Sequence, residues 1–150
     1  MNSLMRILFT ILLTSISLVY SLDAKEKKDS WKERKNWTLE KMEDYQKGLK
    51  NENQFYGLGE ILEKAHKLKN WDKVAHYANI YLQEAEKYKK DWNYGNAIFY
   101  SNMALSEMAY TKGDKAMARN HLIKASETPG SPQLNSFGPF NDFLNEYLLQ

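Results

Sequence analysis

With 150 residues, a formal charge of +2 and no cysteine, the chain must be held together by packing, because neither a disulfide framework nor a lipid-modified cysteine anchor is open to it. Its 21 basic and 19 acidic residues are interspersed, which gives no electrostatic reason to expect nucleic acid as a partner.

The chain begins M-N-S-L-M-R, with a positive charge at Arg6, and Ile7 to Tyr20 follows without any charge. That is the layout of a signal peptide over 1–24, with Ser21 or Ala24 as an acceptable final residue. The apolar run is shorter than the roughly 20 residues a spanning helix needs, and Ser and Thr interrupt it. We therefore expect an exported chain, periplasmic or secreted, with no membrane span once the leader is removed. About 125 residues then remain, enough for one core.

From Ser30 to Leu49, Trp31, Met42, Tyr45 and Leu49 recur at helical spacing among charged residues, predicting a partly buried first helix. The pattern breaks at Asn51–Asn53, so 25–53 reads as an N-terminal helix and connector, and 54–150 as the main domain. Phe55, Leu58, Ile61, Leu62, Ala65 and Leu68 define a second helix by their three-and-four spacing, weakened at its start by Gly57 and Gly59. Asn70 closes it, and Val74, Ala75, Ala78, Tyr81, Leu82, Ala85 and Tyr88 define a third. After the break D-W-N-Y-G-N at Asp91–Asn96, a fourth helix carries Ile98, Ser101, Leu105, Met108 and Ala109 and ends at Lys112-Gly113, where glycine suits the left-handed residue after a helix. Asp114 caps a fifth, with Ala118, Leu122 and Ala125 inward. No segment alternates like a strand, so the fold is expected to be all-α. The connections are short, which makes consecutive helices antiparallel neighbours in two hairpins.

The three prolines, Pro129, Pro132 and Pro139, all lie in T-P-G-S-P-Q-L-N-S-F-G-P, 128–139. Proline steers the residue before it away from helix, so this strap is expected to be extended or turned, pinned by Leu134 and Phe137. It offers Gln133, Asn135 and Ser136 either as ligand contacts or as part of a cap over the open end of the last hairpin.

Around Lys112-Gly113-Asp114, the pair Leu105-Ser106 and the series Ala118, Leu122, Ala125, with Pro129 closing, resembles a tetratricopeptide repeat. The hairpin around Trp71, with Ile61 and Leu62, resembles a degenerate one. More narrowly, Y-G-N-A at Tyr94, K-G-D at Lys112, A-x-x-H-L at Ala118 and the strap look like the ending of a group of mostly bacterial tetratricopeptide-like proteins. That group supplies no activity to carry over, and in it a longer helical tail follows Gly-Pro than the segment Phe140–Gln150 here. The resemblance implies a short α-solenoid in which the first helix of each hairpin lines a groove. It places Tyr56, Glu63 and His66 there with Tyr100, Met103, Glu107 and Tyr110, a set of aromatic and acidic groups suited to gripping a peptide.

Chemistry is thinly represented. The histidines His66, His76 and His121 lie in helix interiors, and no nucleophile turn surrounds any serine. Asp72 and His76 lack a third metal ligand at useful spacing. Glu60 with Glu63, or Glu84 with Glu86, could form a carboxylate pair for an all-α hydrolase, but nothing in the sequence separates their acidities. The reading is therefore a non-enzymatic interaction module for a protein or peptide, without cofactor or metal. Its alternatives are an envelope-associated factor using Trp31 and Trp37, and a carboxylate hydrolase.

Overall fold

The computed structural model describes residues 31–137. The expected leader 1–24, Gly138, Pro139 and the residues beyond them lie outside the described residues, as do the side chains of Trp31, Lys32 and Phe137.

The described chain is helical throughout, without strands. It runs α1 (Trp31–Arg34), α2 (Leu39–Gly48), α3 (Asn51–Lys67), α4 (Trp71–Ala85), a 3₁₀ turn (Glu86–Tyr88), α5 (Tyr94–Thr111), α6 (Lys115–Ser126) and α7 (Pro132–Phe137). It divides into two compact units, one ending at Thr38 and the other starting at Leu39. In the second unit α2 packs on α3, α3 on α4, α4 on α5 and α5 on α6, so each helix lies against its neighbours in sequence. This is the expected all-α arrangement of helical hairpins.

Two boundaries differ from expectation. The first predicted helix is interrupted. Asn36 and Trp37 donate to the carbonyls of Glu33 and Arg34 in a tight turn, and the run Asn36-Trp37-Thr38 has weak helix propensity. The second helix starts at Asn51 rather than after Asn53. Lys50 is extended before it, and Asn51 sits at φ 54°, a left-handed conformation that asparagine tolerates better than most side chains.

The core of the first hairpin is made of large side chains: Phe55, Leu58, Ile61 and Leu62 from α3, and Val74, Tyr77 and Tyr81 from α4, with Met42 from α2. Each such side chain contributes about 1.5–3 kcal/mol on burial. Gly57, a weak point by propensity, is where α2 crosses α3: a Cβ there would lie 2.1 Å from Gln46 Oε1 and 2.8 Å from Leu49 Cδ1. Helix propensity is given up for close approach. The second hairpin packs differently. Along α5, Gly95, Ala97, Ser101, Ala104, Ser106 and Ala109 are all buried, and Ala118 and Ala125 meet them from α6. Small residues let these two helices run close, and Ser106 Oγ donates to the Ala118 carbonyl at 2.8 Å.

The strap is only half as extended as the prolines suggest. Ser131 is non-helical, as expected before Pro132, but it serves as the N-cap of α7: its Oγ accepts from Leu134 N at 3.0 Å, and Pro132 occupies the first helical position. Leu134 then packs against Phe99, Met103 and Ala125.

Candidate functional site

The residues expected to line a groove are distributed unequally. On α3, Glu63 is exposed and pairs with Lys67 one turn on. His66 Nε2 donates across the helix interface to Glu107 Oε2 on α5 at 2.7 Å, the carboxylate being able only to accept. The Trp71 ring lies 6.2 Å from the His66 ring. Tyr100 on α5 is 38% exposed, and its phenol is pushed above the ordinary range by partial burial and then by the negative charge of Glu63. Glu63, His66, Tyr100 and Glu107 therefore share one α3/α5 face. Tyr56 is set apart from them. Its hydroxyl donates to Asp91 Oδ2 at 2.7 Å, a bond that raises its pKa, and its ring lies 5.7 Å from Trp92, itself 49% exposed.

Met103 is a correction. It is buried with Phe99 and Ala125, and Tyr110 packs against that cluster. At about 100° per residue, Phe99, Met103 and Tyr110 follow one stripe of α5 that meets Leu134 of the strap, next to the stripe that carries Tyr100. Of the four carboxylates that could pair for hydrolysis, three form ion pairs with lysines: Glu84 with Lys87, Glu86 with Lys89 and Glu63 with Lys67. Among the described residues no group of three or more metal-ligating side chains gathers, and no described helix is long and apolar enough to cross a membrane.

The strap residues also divide. Asn96 Nδ2 donates to Gln133 Oε1, so Gln133 helps to hold the strap although it is exposed, as Asn135 and Ser136 are. The holding apparatus is the segment D-W-N-Y-G-N, which the periodicity marks only as a break. Asp91 Oδ1 accepts from Asn93 N at 2.7 Å while its other oxygen accepts from Tyr56. Asn93 Nδ2 donates to the Tyr81 hydroxyl at 2.7 Å, and Asn93 Oδ1 accepts from Asn96 Nδ2 at 2.8 Å. Ser131 Oγ donates to Asn96 Oδ1 at 2.5 Å, and Thr128 Oγ1 donates to the Gly95 carbonyl at 2.8 Å. A chain of hydrogen bonds thus runs from α3 through α4 and the linker to the strap. Asn93 and Asn96 are both buried, which satisfied polar groups permit and unsatisfied ones do not.

A second feature was not foreseen. On the side of α5 opposite Tyr100 and Glu107, Tyr94, Ile98 and Asn102 border an open pocket of about 370 Å³ whose other walls are α4 and α6. Asn102 is buried at its base. Its Nδ2 donates to the Ile98 carbonyl at 2.9 Å, leaving Oδ1 to face His121 Nδ1 of α6 at 2.9 Å. The only sequence sign was an Asn and a His on facing helices, nineteen positions apart, which no local period connects.

No protein-family model, curated protein or solved structure matches this chain.

Proposed function

We propose that the protein is an exported, non-enzymatic interaction module that binds a peptide or protein partner on the α3/α5 face, in the manner of a short tetratricopeptide-like array. The observation that carries this reading is the gathering of Glu63, His66, Tyr100 and Glu107 on that face, with Tyr100 partly exposed beside an acidic group. An exposed aromatic ring flanked by carboxylates suits a partner segment that is basic and carries apolar side chains. The export half of the proposal rests on the basic start and charge-free apolar run of the leader.

The test is cross-linked capture from intact cells, comparing wild type with a Tyr100→Ala/Glu63→Lys double variant. Both positions are off the core, so melting should be unchanged. One envelope or extracellular protein is expected to be captured by wild type and lost with the variant. Capture of the same proteins by both forms refutes the α3/α5 face as the site.

A further inference from the structure

We propose that the pocket between α4, α5 and α6 is a binding site for an alkylammonium group, a primary amine carried on a short aliphatic stem. The inference is independent of the α3/α5 reading, because it concerns the opposite side of α5.

The argument starts from one side-chain amide. Asn102 is buried, and its Nδ2 is committed to the Ile98 carbonyl; the amide orientation is thereby fixed, and the atom facing His121 is the acceptor Oδ1. His121 Nδ1 must then carry the proton that makes the 2.9 Å bond. In a neutral ring this leaves Nε2 unprotonated, an acceptor on a side chain that lines the pocket. Burial, and then the nearby Lys124 ammonium, hold the His121 pKa below 6.5, so the neutral form prevails at pH 7.

The rest of the lining has the same bias. Asn79 spends one N–H of its Nδ2 on the Ala75 carbonyl and keeps the acceptor Oδ1 beside its second N–H. Glu127 adds a carboxylate at the rim, and Leu82, Ile98 and Pro129 supply apolar wall. Three acceptors, one of them charged, beside an aliphatic wall match a donor-rich cation on a hydrocarbon stem. An anion would have Lys124, the Tyr94 hydroxyl and the second N–H of Asn79 as donors, but would meet the Glu127 carboxylate and the His121 Nε2 lone pair as well. Lys124 and Glu127 are both exposed, so water screens the repulsion of the one and the attraction of the other alike. The volume lies within the range of small-ligand sites.

The probes are 1-pentylamine, a blocked lysine peptide and, as the opposite charge, butyrate, each titrated into the full-length protein at pH 7.5. The readout is the Asn102 side-chain amide and the His121 ring resonances. Saturable shifts with pentylamine, the lysine peptide or both are expected, and the tighter of the two shows whether the amine comes from a free molecule or from a partner's lysine. His121→Phe should weaken binding roughly tenfold, the loss of one well-placed hydrogen bond. Glu127→Gln, at an exposed position that cannot disturb the fold, should weaken it several-fold. The titratable groups that share the pocket with His121 are Lys124 on α6, Glu127 just past its end and Tyr94 on α5; the pocket-lining residues of α4, Asn79 and Leu82, do not titrate. Affinity should therefore fall as pH drops below 6.5, when Nε2 gains a proton, and should fall likewise in Glu127→Gln. No saturable shift with either amine, tighter binding of butyrate, or an affinity indifferent to both substitutions overturns the proposal.

Discussion

The two hairpins reverse direction by one hydrogen-bonding scheme and with opposite residues. After α3, Lys69 N donates to the His66 carbonyl and Asn70 N to that of Ala65; after α5, Gly113 N donates to Tyr110 and Asp114 N to Ala109. Both are left-handed closures with paired bonds back into the last turn. The left-handed residue is Gly113 at φ 85° in the second hairpin and Lys69 at φ 51° in the first, where a side chain costs about 1 kcal/mol. The caps differ in the same sense: Asp114 accepts from Met117 N at 2.8 Å, Asn70 from Lys73 N at 3.3 Å. The hairpin with the poorer turn has the larger apolar core, built on Phe55, Ile61, Leu62 and Tyr81. The one with the better turn buries Phe99, Met103 and Leu105 but otherwise packs alanine and serine, which offer little area. Local and tertiary contributions are thus complementary: where burial is ample a strained turn survives, and where it is meagre the turn is close to ideal.

The strongest way to break that balance is at the second hairpin's contact with the strap. A Cβ on Gly95 would lie 1.7 Å from the Gly130 carbonyl oxygen, and backbone cannot swing aside as a long side chain can. Gly95→Ala should cost about 3 kcal/mol, a fall in Tm well beyond 10 °C at the usual scaling for small domains, and should raise hydrogen exchange at the Leu134 and Asn135 amides. An unaltered melt would mean that the strap contributes little to the second hairpin.

Next in size is the polar joint between the hairpins. Asn93→Ala removes the bonds to Tyr81 and to Asn96, which keeps Gln133 and Ser131 as partners, and should cost about 2 kcal/mol. Its double-mutant cycle with Tyr81→Phe should show positive coupling. Additive losses would show the two hairpins to be energetically separate despite the hydrogen-bond chain.

The turns themselves are a matched pair of smaller effects. Lys69→Gly relieves the left-handed side chain, while glycine also gains freedom in the unfolded state, so we expect a net gain below about 1 kcal/mol. Gly113→Ala should lose about 1 kcal/mol. Chemical denaturation of both variants checks the signs, and a loss in Lys69→Gly would remove the strain from the comparison.

These contrasts show which parts of the molecule are readable from sequence. The helices, the left-handed Gly113 and the Asp114 cap all follow from local rules, and the structure has them in place. A repeat frame puts Met103 in a groove because it gives a helix one outward stripe, whereas α5 is covered on several sides, by α4, α6, part of α3 and the strap residue Leu134. The role of Asp91, Asn93 and Asn96 was hidden for another reason. Polar residues between helices look the same whether they face water or each other, and only the partners Tyr56, Tyr81 and Ser131, remote in sequence, tell the cases apart. The pocket at Asn102 and His121 depends on a pairing of that kind.

Acid sharpens the comparison further, because each hairpin holds one group whose proton affinity is lowered on folding. In the first, Glu43 of α2 accepts from Tyr77 at 2.8 Å and pairs with Lys73 at 2.6 Å, both on α4. Lys73 chiefly, and Tyr77 after it, outweigh burial and hold its pKa below 4.5. In the second, His121 lies below 6.5 through burial and Lys124. The sign is the same for both: the unfolded chain takes up the proton at higher pH than the folded one, so the stabilisation is complete above the unfolded pKa and is lost as pH falls toward the folded one. The windows differ. His121 should begin to weaken the protein below pH 6.5 and Glu43 only below 4.5, so the second hairpin should respond to acid first. Denaturation midpoints followed from pH 8 to 3.5 should fall in two steps, with His121→Gln erasing the upper step and Glu43→Gln the lower. A single step that survives both substitutions would place the acid response elsewhere and leave the two hairpins alike in this respect.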